Sequence, residues 1–180
     1  MPDRGVRPTS DRVREAIFDI LGPAWIAGAS VLDLYAGTGA LGIEALSRGA
    51  ARALFVERDP AVARALRQSL ETLGLGARGR VLAADLDPKR GLDAGALGGP
   101  WNVVFLDPPY ATGEGAAWLG ILGRIPWPED GGLVVYERRS GPLGSAPEGL
   151  ALATERVYGE TTVSLYRAGG PEAAAGRGAP

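Results

Sequence analysis

Neither cysteine nor histidine occurs among the 180 residues. The first absence excludes disulfides, thiolate metal sites and cysteine nucleophiles, and the second excludes imidazole bases, His-ligated metals and Ser-His-Asp triads. No apolar run approaches the roughly 18 residues that a membrane span needs, and Met1 to Ser10 lack a secretory hydrophobic segment, so a cytoplasmic location is expected. Side-chain amides are reduced to Gln68 and Asn102, and Lys89 is the single lysine among 19 cationic residues. That pattern, rich in Gly, Ala, Arg and Pro, fits a GC-rich, thermophilic source in which thermolabile side chains are avoided. A net charge of −2 argues against a generally basic nucleic-acid binder, although arginine is the cation best suited to phosphate and base contacts. Whatever chemistry the chain performs must come from carboxylates, hydroxyls, backbone groups or a borrowed cofactor.

What is present is an ordinary globular composition, 46% hydrophobic and 22% charged, in a length that suits one core. Residues 1–167 are expected to form a single domain, with 168–180 a flexible Gly/Ala/Pro-rich tail. Thr9 to Asp11 offer caps for a helix at about 10–21, ended by Gly22-Pro23. Apolar runs at 30–35, 52–57, 80–83, 101–106 and 132–137 read as strands. Helices are expected through Ser47, over 60–73 and over 113–123, and two final strands over 150–155 and 156–166. The strands are continuous apolar runs alternating with helices, the pattern of a mostly parallel sheet covered on both faces. The fold expected is a doubly wound α/β sheet of about seven strands.

Gly37-Thr38-Gly39-Ala40-Leu41-Gly42 matches G-x-G-x-x-G between a strand and a helix, and Glu57 closes the next strand 20 residues beyond Gly37. The formal match is to a dinucleotide fingerprint, with the acid on ribose hydroxyls. Asp33 argues otherwise, because a carboxylate at the end of the first strand would repel a pyrophosphate. S-adenosylmethionine carries no phosphate and has an ammonium and a sulfonium, so an acid near the loop suits it. Asp85 is placed either to receive an adenine amino group, with Leu86 N–H beside it, or to cap a helix.

Asp107-Pro108-Pro109-Tyr110 follows the fourth strand and should project from the same sheet edge. Consecutive prolines fix an extended corner and remove two donors, leaving carbonyls free to accept. Asp107 and the Pro108 carbonyl could accept from an exocyclic amine and steer its lone pair, with Tyr110 stacking on a planar base. The other reading is a rigid turn whose acid caps a helix and whose tyrosine packs in the core.

Asp33 to Gly42, Glu57 and Asp107 to Tyr110 resemble the class I S-adenosylmethionine-dependent amino-methyltransferases. Arg7-Pro8-Thr9-Ser10-Asp11-Arg12-Val13-Arg14-Glu15-Ala16-Ile17-Phe18 and Leu32 to Ala45 are similar to one subfamily, the bacterial 16S ribosomal RNA guanine-N2 methyltransferases. The resemblance implies a Rossmann-like sheet, mostly parallel with an antiparallel strand near the C-terminus. It implies that Asp33, Tyr35, Ala36, Gly37, Gly39, Glu57, Asp85 and Leu86 bind the cofactor S-adenosyl-L-methionine. Asp107, Pro108, Pro109 and Tyr110 would then hold the guanine, and Arg7, Arg12 and Arg14 would touch RNA phosphates. Between positions 4 and 14 four arginines face only Asp11, a local charge of +3. With an ordinary carboxylate pKa of about 3.9, Asp107 is expected to orient the amine rather than act as a strong base. No metal is implied, and nothing in the chain demands more than a monomer. Only six residues precede Arg7, where this subfamily usually carries a small β element. RNA contacts made there are expected to be absent or supplied differently, which favours 16S rRNA within a small-subunit assembly particle as the substrate. Rival readings are an adenine-N6 or other amino-methyltransferase acting on DNA or protein, a nicotinamide-dependent oxidoreductase, and a non-catalytic RNA-binding module.

Overall fold

The computed structural model describes residues 9–89, 97–109, 113–125, 131–142 and 144–168. Its strands are β1 (Ser30–Leu34), β2 (Arg52–Glu57), β3 (Gly79–Ala83), β4 (Val103–Leu106), β5 (Gly132–Arg139), β6 (Leu150–Tyr158) and β7 (Thr161–Ala168). They form one sheet in the order β3-β2-β1-β4-β5-β7-β6. The first five are mutually parallel, and β7 runs antiparallel to both β5 and β6. Central strands β1 and β4 carry no exposed residue, as parallel strands covered on both faces require.

Helices α1 (Thr9–Ile26), α2 (Ala40–Ser47) and α3 (Pro60–Thr72) lie on one face, and α4 (Glu114–Leu122) on the other. On α3, buried Ala63, Leu66 and Leu70 recur at helical spacing. The Asp59 side chain caps it by accepting from the N–H groups of Ala61 (2.7 Å) and Val62 (3.3 Å), with Pro60 where no N–H is required. Beneath α1, Val13, Ile17, Phe18 and Leu21 pack against Phe105, Val135 and Leu165. On the opposite face Trp118, Leu119 and Leu122 cover Leu34, Val104, Leu106 and Val134.

Several expected boundaries move. Gly22 does break the first helix, with φ 65° and ψ 167°, but Pro23 opens a further turn that reaches Ile26. Trp101 and Asn102 precede β4, Asn102 instead accepting the Ser30 N–H through its side chain at 2.9 Å. The break between the last two strands falls at Gly159 (φ 61°), not between residues 155 and 156, so Glu155 and Arg156 both belong to β6. Ala168 is the last residue of β7 and pairs with Gly132 and Leu150. The tail beyond it, and residues 90–96 between β3 and β4, lie outside the described residues.

Candidate active site

Register along the parallel strands makes the site. Leu34 is the register partner of Val56 and of Leu106, and Leu106 of Tyr136. The next residue on each strand, Tyr35, Glu57, Asp107 and Glu137, therefore stands in one row along the carboxyl edge of the sheet. With strands about 4.8 Å apart, Glu57 and Asp107 lie roughly 10 Å from each other across β1. Strand order reverses between β1 and β4, where open α/β sheets hold their ligands. Tyr35, Glu57, Leu86, Asp107, Pro108 and Pro109 line one cleft there, of about 920 Å³.

The glycine loop is built from both ends. Gly37 (φ 54°) makes the turn, and a Cβ there would meet nothing nearer than the Tyr35 carbonyl oxygen at 3.9 Å. Gly39 and Gly42 answer to packing: a Cβ on Gly39 would strike Leu66, and one on Gly42 would strike the Phe55 ring and stand 2.9 Å from Asp33 Oδ2. Close approach of α2 to Phe55 of β2 thus explains Gly42, whereas Gly39 answers to Leu66 of α3 and to its own left-handed φ of 77°. Gly37 N–H donates to Glu57 Oε2 (2.9 Å) and Asp59 N–H to Oε1 (2.8 Å), so both Glu57 oxygens are fixed and each keeps a second lone pair. Ala36 N–H bonds to the Val56 carbonyl at 3.0 Å, and Gly39 N–H to the Ala36 carbonyl at 2.7 Å.

Asp33 stands behind the loop, 3% exposed, and accepts the Gly42 N–H through Oδ2 at 2.9 Å. Burial pushes its carboxyl up to about 7, opposed by that hydrogen bond. A carboxylate therefore already occupies an N–H of the first turn of α2, the kind of group a pyrophosphate would need. Tyr35 (φ 59°) is the one non-glycine residue at positive φ among those described, and that twist carries its ring across the sheet end to the α4 face. Its hydroxyl accepts from Trp118 Nε1 (2.6 Å) and faces two acceptors, Glu114 Oε2 (2.8 Å) and the Leu86 carbonyl (3.1 Å). Burial, then the Glu114 hydrogen bond, raises the phenol pKa. Leu86 is buried on the cleft wall, whereas Asp85 is exposed, in a stretch that is neither helix nor strand.

Asp107 and Pro109 are exposed and Pro108 is buried. Tyr110 and Arg7 lie outside the described residues. Arg12 is exposed and Arg14 pairs with Asp11 at 2.7 Å within α1, and neither lines the cleft. The structure adds wall residues that local motifs missed: Arg58 after β2, Glu137 and Arg139 on β5, and Tyr158 to Thr161 at the β6–β7 turn. The available signal was topological, since a parallel β5 must end at the same edge as β4. No cluster of acidic side chains able to hold a metal exists among the described residues.

This strand order, with a glycine loop after β1 and an Asp-Pro-Pro corner after β4, defines a class I methyltransferase. The family described as conserved hypothetical protein 95 matches residues 1–167. Ribosomal RNA small subunit methyltransferase D of Escherichia coli K12 is 38% identical over 169 residues, 93% of this chain and 82% of that one. The solved candidate methyltransferase yhhF from Escherichia coli superposes with a TM-score of 0.77 at 38% identity, covering 93% of this chain and 89% of that one. An RNA methyltransferase from Salinibacter ruber, solved in complex with S-adenosyl-L-homocysteine, shares the fold at 20% identity and TM-score 0.63, over 91% of this chain and 92% of that one. The chain belongs to the family of ribosomal RNA small subunit methyltransferase D.

Proposed function

We propose that the protein methylates the exocyclic N2 amine of a guanine in 16S rRNA, using S-adenosyl-L-methionine. One observation carries the reading: Glu57 and the Asp107-Pro108-Pro109 corner line a single cleft, two strands apart, on either side of the switch point. The wall fits this cofactor. Glu57 keeps free lone pairs for two ribose hydroxyls, Gly37 leaves backbone open to close approach, and the α2 terminus that would take a phosphate is occupied by Asp33. Leu86 lines the same cleft, Ala36, Gly39 and Asp85 are assigned to the cofactor from their places in the loop and after β3, Asp33 is the acid behind the loop and Tyr35 braces the switch point.

When bound, the cofactor supplies an electrophilic methyl group on a sulfonium. Asp107 and the Pro108 carbonyl accept hydrogen bonds from the guanine amine and aim its lone pair across the row. As positive charge develops on nitrogen, the Asp107 carboxylate stabilises it, and once the new bond has formed the proton passes to solvent beside the exposed Asp107. The rigid two-proline corner supplies orientation, the main source of rate for a reaction whose leaving group departs as a neutral thioether. Tyr110 stacks on the base, and Arg7, Arg12 and Arg14 contact backbone phosphates near the opening segment. The protein acts as a monomer in the cytoplasm, on an assembly particle whose proteins supply part of the docking surface.

Tritiated-methyl transfer tests this, with under-methylated small subunits, protein-free rRNA, duplex DNA and ribosomal protein as parallel acceptors. Label is expected in the rRNA of the particle. Equal labelling of protein-free rRNA would remove the particle from the account, and label in DNA or protein alone would remove rRNA.

A further inference from the structure

Beyond the Pro108-Pro109 wall lies a second cavity, of about 340 Å³, between β5, β7 and the amino end of α4. That volume is at the low end of small-ligand pockets, about 300–1,000 Å³. It shares Pro108, Pro109, Glu137 and Arg139 with the cleft, but neither Asp107 nor Glu57 reaches it. Two phenols line it: Tyr136 of β5 and Tyr166 of β7, diagonal neighbours because Tyr136 pairs with Ser164. Tyr166 is 1% exposed, yet neither hydroxyl finds a hydrogen-bond partner among the described residues. Burial raises both phenol pKa values, Tyr166 to about 12, so both stay protonated and act as donors. Gly115 on α4 makes room for this arrangement, because a Cβ there would collide with the Tyr136 hydroxyl.

The remaining wall is held by hydrogen bonds from Arg138. Arg138, 8% exposed, donates through Nη1 to the Gly141 carbonyl (2.8 Å) and through Nη2 to Glu155 Oε2 (3.0 Å), tying the loop after β5 to β6. Its Nε has no hydrogen-bond partner among the described residues. Leu119 and the prolines supply apolar surface. A slot that combines apolar surface with two unused O–H donors, and with Glu137, Arg138 and Arg139 at its polar side, suits an aromatic ring that bears carbonyl acceptors. The target amine must reach Asp107, in the cleft, so this slot is not where the target guanine sits.

We propose that the second cavity is a subsite for the base adjacent to the target guanine in the RNA strand, a carbonyl-bearing base such as uracil, gripped by the Tyr136 and Tyr166 hydroxyls. The two prolines stand as a wedge between the neighbouring bases, which single-stranded RNA can splay apart. This rests on the RNA reading of the cleft, and its test is arranged to fail separately.

Uridine monophosphate serves as probe, because it lacks the exocyclic amine that the Asp107 corner requires. Its titration into the full chain is followed by NMR chemical shifts, with S-adenosylmethionine binding measured by calorimetry on the same preparations. The Tyr136→Phe/Tyr166→Phe variant keeps both rings and loses both donors, and is expected to bind the probe roughly tenfold more weakly. Ala116→Trp, an exposed position on the cavity rim, is expected to block the probe, while Asp107→Ala leaves its affinity unchanged. No binding of the probe, equal binding by the double-phenylalanine variant, or a loss in Asp107→Ala would each overturn the subsite. Intact cofactor binding beside any of these results would leave the proposed reaction standing, whereas absent cofactor binding would remove that reaction whatever the probe does.

Discussion

Asp33→Asn isolates the energetic consequence of placing an acid beneath the glycine loop. The wild-type carboxyl is 3% exposed and rises from 3.8 to about 7 on folding, chiefly through burial. Between those values the native state holds a proton that the unfolded chain has released, so stability falls as pH rises and levels off above about 7. A shift of that size corresponds to at most roughly 4 kcal/mol, at 1.36 kcal/mol per pH unit. Asparagine keeps an oxygen for the Gly42 N–H and cannot ionise. Urea unfolding followed by tryptophan fluorescence should show the gap between wild type and variant small at pH 4.5, about 1 kcal/mol. At pH 8 the variant should be more stable, by a few kcal/mol. A variant whose stability tracks wild type from pH 4.5 to 8, or one that is weaker at pH 8, would refute the assignment of a buried, high-pKa carboxyl.

Other substitutions test neighbouring parts of the loop. Gly42→Ala drives a methyl into the Phe55 ring and against Asp33, and thermal melts should show about 1–3 kcal/mol of destabilisation from overpacking. Glu57→Gln keeps one acceptor oxygen and turns the other into a donor facing a backbone N–H, so calorimetry should show cofactor affinity reduced about tenfold or more. Trp118→Phe removes the donor to the Tyr35 hydroxyl and leaves a gap where the fully buried indole stood, so it should cost about 2–4 kcal/mol in the same unfolding assay.

Much of this architecture was legible locally because parallel strands buried on both faces leave continuous apolar runs, as in Ala53 to Val56 and Val103 to Leu106. The glycine loop and the Asp-Pro-Pro corner were readable for a related reason, since both are backbone devices with strong residue requirements. The hairpin at Gly159 was harder. β6 is an edge strand with Leu152 and Val157 exposed, so its pattern carries no clean alternation, and Glu155 looks like a strand end when it is in fact held by Ser164 and Arg138 inside the sheet. Glu137, Arg139 and Tyr158 to Thr161 reach the cleft only through strand order, which no local window contains. Asp33 was placed correctly at the strand end, but alternation on β1 points it to the α2 face, where it meets Gly42.

The most direct test of the cleft as an amino-methyl transfer site is single-turnover transfer to under-methylated small subunits by wild type and Asp107→Ala, with the modified nucleoside identified by mass spectrometry. The account predicts N2-methylguanine with the wild type and a rate at least about 100-fold lower for Asp107→Ala, since the lost carboxylate both orients the amine and stabilises its developing charge. Cofactor binding should persist, because Asp107 stands two strands away from Glu57. An unchanged rate in Asp107→Ala, or methyl recovered on any atom other than the guanine N2, would contradict it.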